Sequence, residues 1–218
     1  MKNEADYTLY LVTDRDPNGG EDSIRRLENA VAEAIAGGVT MVQLREKTTN
    51  SRAFYELAMR LHKITSQAEI PLIINDRADI ALAMNAEGVH VGASDIPCDV
   101  LRKILGANKI IGVSASNLAQ AKQAQAEGAD YLGIGAMYAT GTKPDATITT
   151  KQELLQIRAA ISIPLVVIGG INESTIPDFR GTRIDGIAVV SAILSAPHVT
   201  AASQSLKKLF ESTCQALS

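Results

Sequence analysis

Only two cysteines occur in 218 residues, Cys98 and Cys214, far apart and without metal-type spacing. A small disulfide-stapled fold and a metal site built on paired cysteines are thereby excluded, and a reduced, cytoplasmic environment is the simple reading. No apolar run is long enough to span a bilayer, and Met1-Lys2-Asn3-Glu4-Ala5-Asp6 lacks the apolar core of a secretion signal. No membrane partner is expected. Neither sign of charge dominates: 21 Lys and Arg stand against 24 Asp and Glu, for a formal net charge of −3. That balance argues against nucleic acid as a partner. An anionic ligand would have to be held by a few placed cations and backbone amides. No low-complexity stretch marks a linker.

What is present is a globular composition, with 46% hydrophobic and 21% charged residues, enough to bury a sizeable core. The length suits one α/β barrel, so a single domain over residues 1–218 is expected. Short apolar, β-branched runs alternate with segments of helical spacing. Strands are expected at Tyr7 to Val12, Met41 to Leu44, Leu72 to Ile74, Val89 to Val91, Ile110 to Val113, Tyr131 to Ile134, Leu165 to Ile168 and Ile187 to Val190. The clearest helices are Ser23 to Ala36, Ser51 to Gln67, Asn117 to Glu127, Thr150 to Ile161 and Gln204 to Leu217. Strands alternating with helices pair in parallel, because each helix returns the chain to the same end of the sheet. Eight such units favour a closed (β/α)8 TIM barrel over a doubly wound sheet, which usually needs five or six.

In such barrels the chemistry sits where strands end, and the unusual polar residues of this chain gather there. After the second strand, alternation puts Gln43, Arg45 and Lys47 on one side and Leu44 and Glu46 on the other. The third strand runs into Asn75-Asp76-Arg77 and the fourth into His90-Val91-Gly92-Ala93-Ser94-Asp95. Paired carboxylates at one level suit magnesium, which takes one or two of them with phosphate oxygens and water. Helix capping is the alternative for Asp76 and Asp95, and a packed, hydrogen-bonded side chain is the reading for His90. Ser114 offers a hydroxyl after the fifth strand, and Asn117 reads as a helix cap. Thr140-Gly141-Thr142-Lys143 combines hydroxyls, a permissive backbone and a point charge that can wrap phosphate. Gly169-Gly170 and Val190-Ser191 follow the last two strands, the usual place of a phosphate site in barrels.

Taken in order, these motifs resemble the thiamine-phosphate synthase family over nearly the whole chain, from Tyr10-Leu11-Val12-Thr13-Asp14 to Val190-Ser191-Ala192-Ile193. The most specific are Gln43-Leu44-Arg45-Glu46-Lys47, Asn75-Asp76, Gly92 with Asp95, and Thr140-Gly141-Thr142-Lys143. The resemblance implies transfer of a hydroxymethylpyrimidine group from its diphosphate to a thiazole phosphate, with release of diphosphate. It implies that the segment Gln43, Leu44, Arg45, Glu46 and Lys47 binds the pyrimidine diphosphate, with Gln43 on the ring and Arg45 and Lys47 on the diphosphate. Asn75, Ser114 and Lys143 complete that grip. Arg45, Lys47, Ser114 and Lys143 are the implied catalytic groups, and Asp76 and Asp95 the implied Mg2+ ligands. Thr140, Gly141, Thr142, Gly170, Val190 and Ser191 match the positions that hold the thiazole phosphate.

The chain departs from the family pattern at Ala93, Ala136 and Ala139, and at Arg77, where some relatives carry a second acid and where an inward turn would weaken metal binding. A thiazole tautomerase on the same barrel would use a histidine after the fifth strand, but Ser114-Ala115-Ser116-Asn117 has none. A sugar-phosphate isomerase leaves the second set of cations and paired acids unexplained. A non-catalytic metabolite-binding barrel would be expected to have lost them. A homo-oligomer is left open.

Overall fold

The computed structural model describes residues 5–141 and 147–215. Strands β1 (Leu9–Val12), β2 (Met41–Leu44), β3 (Leu72–Asn75), β4 (Gly88–Val91), β5 (Ile110–Ala115), β6 (Tyr131–Ile134), β7 (Leu165–Ile168) and β8 (Gly186–Val189) close into one barrel in that order. Every neighbouring pair is parallel, and β8 returns to β1 with Leu9 opposite Ile187 and Leu11 opposite Val189. Closure leaves no sheet edge. It also buries both faces of the strands, which is why the runs read as continuously apolar.

Two packed layers result. Outward residues such as Leu11, Leu44, Ile74 and Leu132 pack under the helices, while Tyr7, Tyr10, Met41, Ile73, Ile110, Tyr131 and Val166 fill the barrel itself. Helix α1 (Gly20–Ala36) buries Leu27, Val31 and Ala34, spaced four and three apart, and leaves its charged face to water. Helix α2 (Ser51–Gln67) starts where the Asn50 side chain accepts from Ala53 N, and it buries Phe54, Leu57, Ala58 and Leu61. Each fully buried Leu or Phe of that stripe stabilises the fold by roughly 1.5–3 kcal/mol. Helices α5 (Leu118–Ala126) and α6 (Lys151–Ala160) are capped by the side chains of Asn117 and Thr150.

Five elements differ from expectation. Helices α3 (Ala78–Met84) and α4 (Cys98–Leu105) are short and lack a side-chain cap, and exposed Leu82, Val100 and Ile104 blur their pattern. After β7 there is only a 3-10 turn, Ile176–Phe179, with a proline in its first turn. A four-residue helix α7 (Ser191–Leu194) follows β8, and the last helix, α8 (Val199–Phe210), starts earlier than its periodicity suggests. Among the described residues no helix is long and apolar enough to cross a membrane. Cys98 and Cys214 are free and buried.

Candidate active site

A cavity of about 650 Å3 opens at the carboxyl ends of the strands. Gln43, Arg45, Lys47, Asn75, Asp76, Asp95, Ser114, Thr140, Gly170, Val190 and Ser191 all line it. Stretches separated by up to 150 residues of chain thus converge on one rim. Leu44 and Glu46 do not line it: Leu44 is wholly buried in the outer layer, as strand alternation requires. Gly141 is exposed and also lies off the wall, while Thr142 and Lys143 fall outside the described residues.

Glu46 has a different job. Its carboxylate accepts both Nε and Nη2 of Arg15, each at 2.9 Å, and also the Thr49 hydroxyl. The forked pair is nearly buried, with side chains 9% and 4% exposed. It pins the loop after β2 from behind, and the Thr13 hydroxyl accepts from Arg45 N at 3.1 Å. The Arg45 guanidinium lies 3.9 Å from Asp14 and remains on the cavity wall.

Opposite charges meet across β2 and β3, where Lys47 Nζ donates to Asp76 Oδ2 at 2.7 Å. Asp76 has φ +62°, a left-handed conformation that Asp tolerates better than most residues. It is therefore no helix cap; its carboxylate belongs to the cavity. Asp95 Oδ2 accepts from Gly92 N at 2.7 Å, which turns the loop after β4 back on itself. Burial pushes the Asp95 carboxyl above its usual range; the Asp76 carboxyl adds to this through its charge and as a hydrogen-bond partner, while Gly92 N and Lys47 oppose it. Two acids whose charges repel at short range favour a shared cation. Hard oxygen donors, only two from protein, fit Mg2+ bound jointly with phosphate oxygens and water. No cluster of three or more metal-binding side chains occurs among the described residues. Arg77 turns away: it forks onto Asp79 at 2.9 and 2.6 Å, bonds Ser51 Oγ at 2.8 Å and lies over the Phe54 ring.

Asn75 lies between these charges and the barrel floor. Its Nδ2 is buried and has no acceptor within the protein. An orphaned donor of this kind costs about 1–3 kcal/mol, and a ligand oxygen at that spot removes the cost.

Among the described residues, the far wall is made mostly of backbone. Gly169 and Gly170 have φ +94° and +68°, so both need glycine. The two arms of the loop after β6 are stitched together, Ala136 N to Thr147 O at 3.2 Å and Thr149 N to Ala136 O at 2.8 Å. Met137 N and Tyr138 N then donate to Ile168 O and Gly169 O, locking that loop to the end of β7.

Sequence reasoning read His90 as a packed, hydrogen-bonded side chain, which it is, but passed over the rest of the cavity floor. Tyr10, His90 and Tyr131 line it and form a continuous hydrogen-bonded chain with two predicted residues. Gln43 Nε2 donates to Tyr10 Oη at 2.8 Å, Tyr10 Oη meets Tyr131 Oη at 2.8 Å, Tyr131 Oη meets His90 Nδ1 at 2.9 Å, and His90 Nε2 meets Ser114 Oγ at 2.9 Å. Burial depresses the His90 imidazole to about 4, only partly offset by the charge of Asp76, so it is neutral near pH 7. Burial raises both tyrosines above their usual range, so they stay protonated. Two inward tyrosines in a barrel interior were the available signal, since buried tyrosine hydroxyls need partners.

The family model for thiamine monophosphate synthase matches residues 9–193. The Clostridium botulinum (strain Eklund 17B) protein named thiamine-phosphate synthase is 55% identical over 211 residues, covering 97% of each chain. Its Clostridium beijerinckii counterpart is 54% identical over 210 residues, covering 96% of this chain and 99% of its own. The solved thiamine phosphate pyrophosphorylase of Pyrococcus furiosus superposes with a TM-score of 0.85 at 36% identity, covering 96% of this chain and 98% of that one. With a closed barrel, a polar mouth and near-full-length likeness in hand, the chain belongs to the thiamine monophosphate synthase family.

Proposed function

We propose that this chain, acting as one barrel domain, makes thiamine phosphate. It transfers the 4-amino-2-methyl-5-hydroxymethylpyrimidine group from its diphosphate to the ring nitrogen of 4-methyl-5-(2-phosphooxyethyl)thiazole and releases diphosphate. One observation carries the reading of the site: Lys47, Asp76 and Asp95 meet on the rim beside Arg45, above a donor, Asn75 Nδ2, that lacks a partner.

The reaction breaks the bond from the pyrimidine methylene to the diphosphate oxygen, and both electrons leave with diphosphate. The methylene cation is captured by the thiazole nitrogen lone pair, giving a thiazolium. That nitrogen carries no proton to lose, so capture needs no general base. A neutral His90 with both ring nitrogens engaged agrees with this. What the step needs is stabilisation of charge growing on the leaving group. Arg45 and Lys47 supply fixed positive charge there, and Asn75 and Ser114 supply neutral donors. Asp76 and Asp95 would hold Mg2+, which when bound neutralises diphosphate oxygens. Gln43 faces the pyrimidine ring. Leu44 and Glu46 take part through the main chain, Glu46 by fixing its loop on Arg15. Gly170, Val190 and Ser191 hold the thiazole phosphate with Thr140, close backbone approach being the use of the glycine. Gly141, Thr142 and Lys143 are assigned to the two substrates on family likeness.

The test is a two-substrate assay with magnesium and mass spectrometry of the product. Diphosphate should appear in step with thiamine phosphate, and chelation should stop both. Rearrangement of the thiazole phosphate alone, without diphosphate, would overturn the reading.

A further inference from the structure

We infer that His90 is a positioning residue: through a one-way hydrogen-bonded chain across the barrel floor, it fixes which way Ser114 and Gln43 present their donors and acceptors. The inference rests on the reading that these two residues face the pyrimidine diphosphate. The chain draws on five strands, Gln43 from β2, Tyr10 from β1, Tyr131 from β6, His90 from β4 and Ser114 from β5, joined by contacts of 2.8, 2.8, 2.9 and 2.9 Å.

The orientation of the Gln43 amide sets its direction, and proton counting carries it along the chain. Gln43 Nε2 can only donate, so the Tyr10 oxygen accepts. Among the described residues, the single hydroxyl proton of buried Tyr10 then has one acceptor in reach, the Tyr131 oxygen. Tyr131, having accepted, donates to His90 Nδ1, and a neutral imidazole that accepts at Nδ1 carries its proton on Nε2. His90 Nε2–H therefore donates to Ser114 Oγ. Ser114 is left with a hydroxyl proton aimed into the cavity, the polarity a phosphate oxygen requires. At the other end the Gln43 carbonyl oxygen is left to accept from an amine, such as the exocyclic amino group of the pyrimidine. The reverse order needs the Gln43 carbonyl on Tyr10, and it spends the Ser114 proton on His90, so that Ser114 has no donor left for the leaving group.

The barrel is hollowed to seat these rings. A Cβ at Gly112 would lie 2.1 Å from Tyr131 Cζ and 2.3 Å from its hydroxyl. One at Gly133, which pairs with Ser114, would lie 3.0 Å from His90 Cε1 and 3.4 Å from Nε2. Both glycines sit on inward positions of β5 and β6, next to the groups they make room for.

The experiment reads the tautomer directly. In 15N-histidine-labelled, ligand-free protein near pH 7, the chain has three histidines, and the His90 signal is the one lost in His90→Gln. The expected pattern is a neutral ring protonated at Nε2. A ring protonated at Nδ1, or at both nitrogens, would overturn the inference while leaving thiamine phosphate formation untouched. Tyr131→Phe should mix the two tautomers and raise KM for the pyrimidine diphosphate about tenfold, the loss of one oriented hydrogen bond to a charged group, with KM for the thiazole phosphate within about twofold. An unmixed tautomer in that variant would contradict the chain. If it does not fold, Gly133→Ala, which crowds the His90 ring, provides the same readout. The tautomer needs no turnover, so failure of the enzymatic reading and failure of this one are separately visible.

Discussion

The two halves of the cavity rim are built from different groups. The side built after β2, β3 and β4 presents charged side chains, Arg45, Lys47, Asp76 and Asp95, braced by the nearly buried Arg15–Glu46 fork. Among the described residues, the side built after β6, β7 and β8 presents mainly backbone: two left-handed glycines, a stitched loop and the start of a short helix. A charge that grows during reaction calls for fixed counter-charges, whereas a phosphate that only anchors a substrate can be held by amides. On the proposed function, the described residues of the first half serve the chemistry and those of the second the anchoring, with Lys143, outside the described residues, expected to join the first.

The largest effect should come from the charged half. Lys47→Ala should lower kcat by about 10²-fold or more, on the scale of losing one preorganised stabiliser of transition-state charge, and leave KM for the thiazole phosphate within about twofold. Steady-state kinetics with each substrate varied in turn would show it; a pure KM effect would erase the distinction between the halves. On the backbone half, Gly170→Ala puts a Cβ 2.7 Å from Tyr138 Cβ and 3.2 Å from the Ala139 carbonyl, at a φ of +68°. The expected result is a rise in thiazole phosphate KM of roughly tenfold, from about 1–2 kcal/mol of strain, with kcat at saturation changed far less.

Between the halves lies the floor, and its signature is stability against pH. The folded His90 sits at about 4, below its ordinary 6.5. From pH 6.5 down to 4 the unfolded chain binds a proton that the folded chain refuses, so the fold loses stability as pH falls. Urea unfolding at pH 7.5 and 5 should show the wild type losing about 2 kcal/mol more than His90→Gln on acidification. Equal losses would mean His90 titrates normally. The smallest effect is expected at Arg77→Ala, whose side chain is committed to Asp79 and Ser51 outside the cavity. Turnover should stay within about twofold, since substitutions away from a site change little; a large loss would put a further cation into the charged half.

The eight strands were readable because a barrel strand is buried on both faces and shows as a short apolar run, as at Leu165–Ile168. The ordered polar residues at strand ends were readable because inward alternation leaves few places for Gln43, Arg45 and Lys47 to point. Helices α3 and α4 were not, for want of a capping side chain and a clean apolar stripe. The floor was hidden for another reason: Tyr10, His90 and Tyr131 are scattered over 121 positions, and only barrel closure brings them within hydrogen-bonding distance. The Arg15–Glu46 fork is likewise a contact between two loops that local pattern does not announce.

The charged half of the rim turns on its two facing acids, Asp76 and Asp95. A magnesium titration of diphosphate release, comparing wild type with Asp95→Asn, tests them most directly. The prediction is that the half-saturating Mg2+ concentration rises by about tenfold or more in the variant, as for loss of one of two protein ligands. Full turnover at an unchanged Mg2+ midpoint would show that Asp95 holds no cation, and the charged half of the rim would need another explanation.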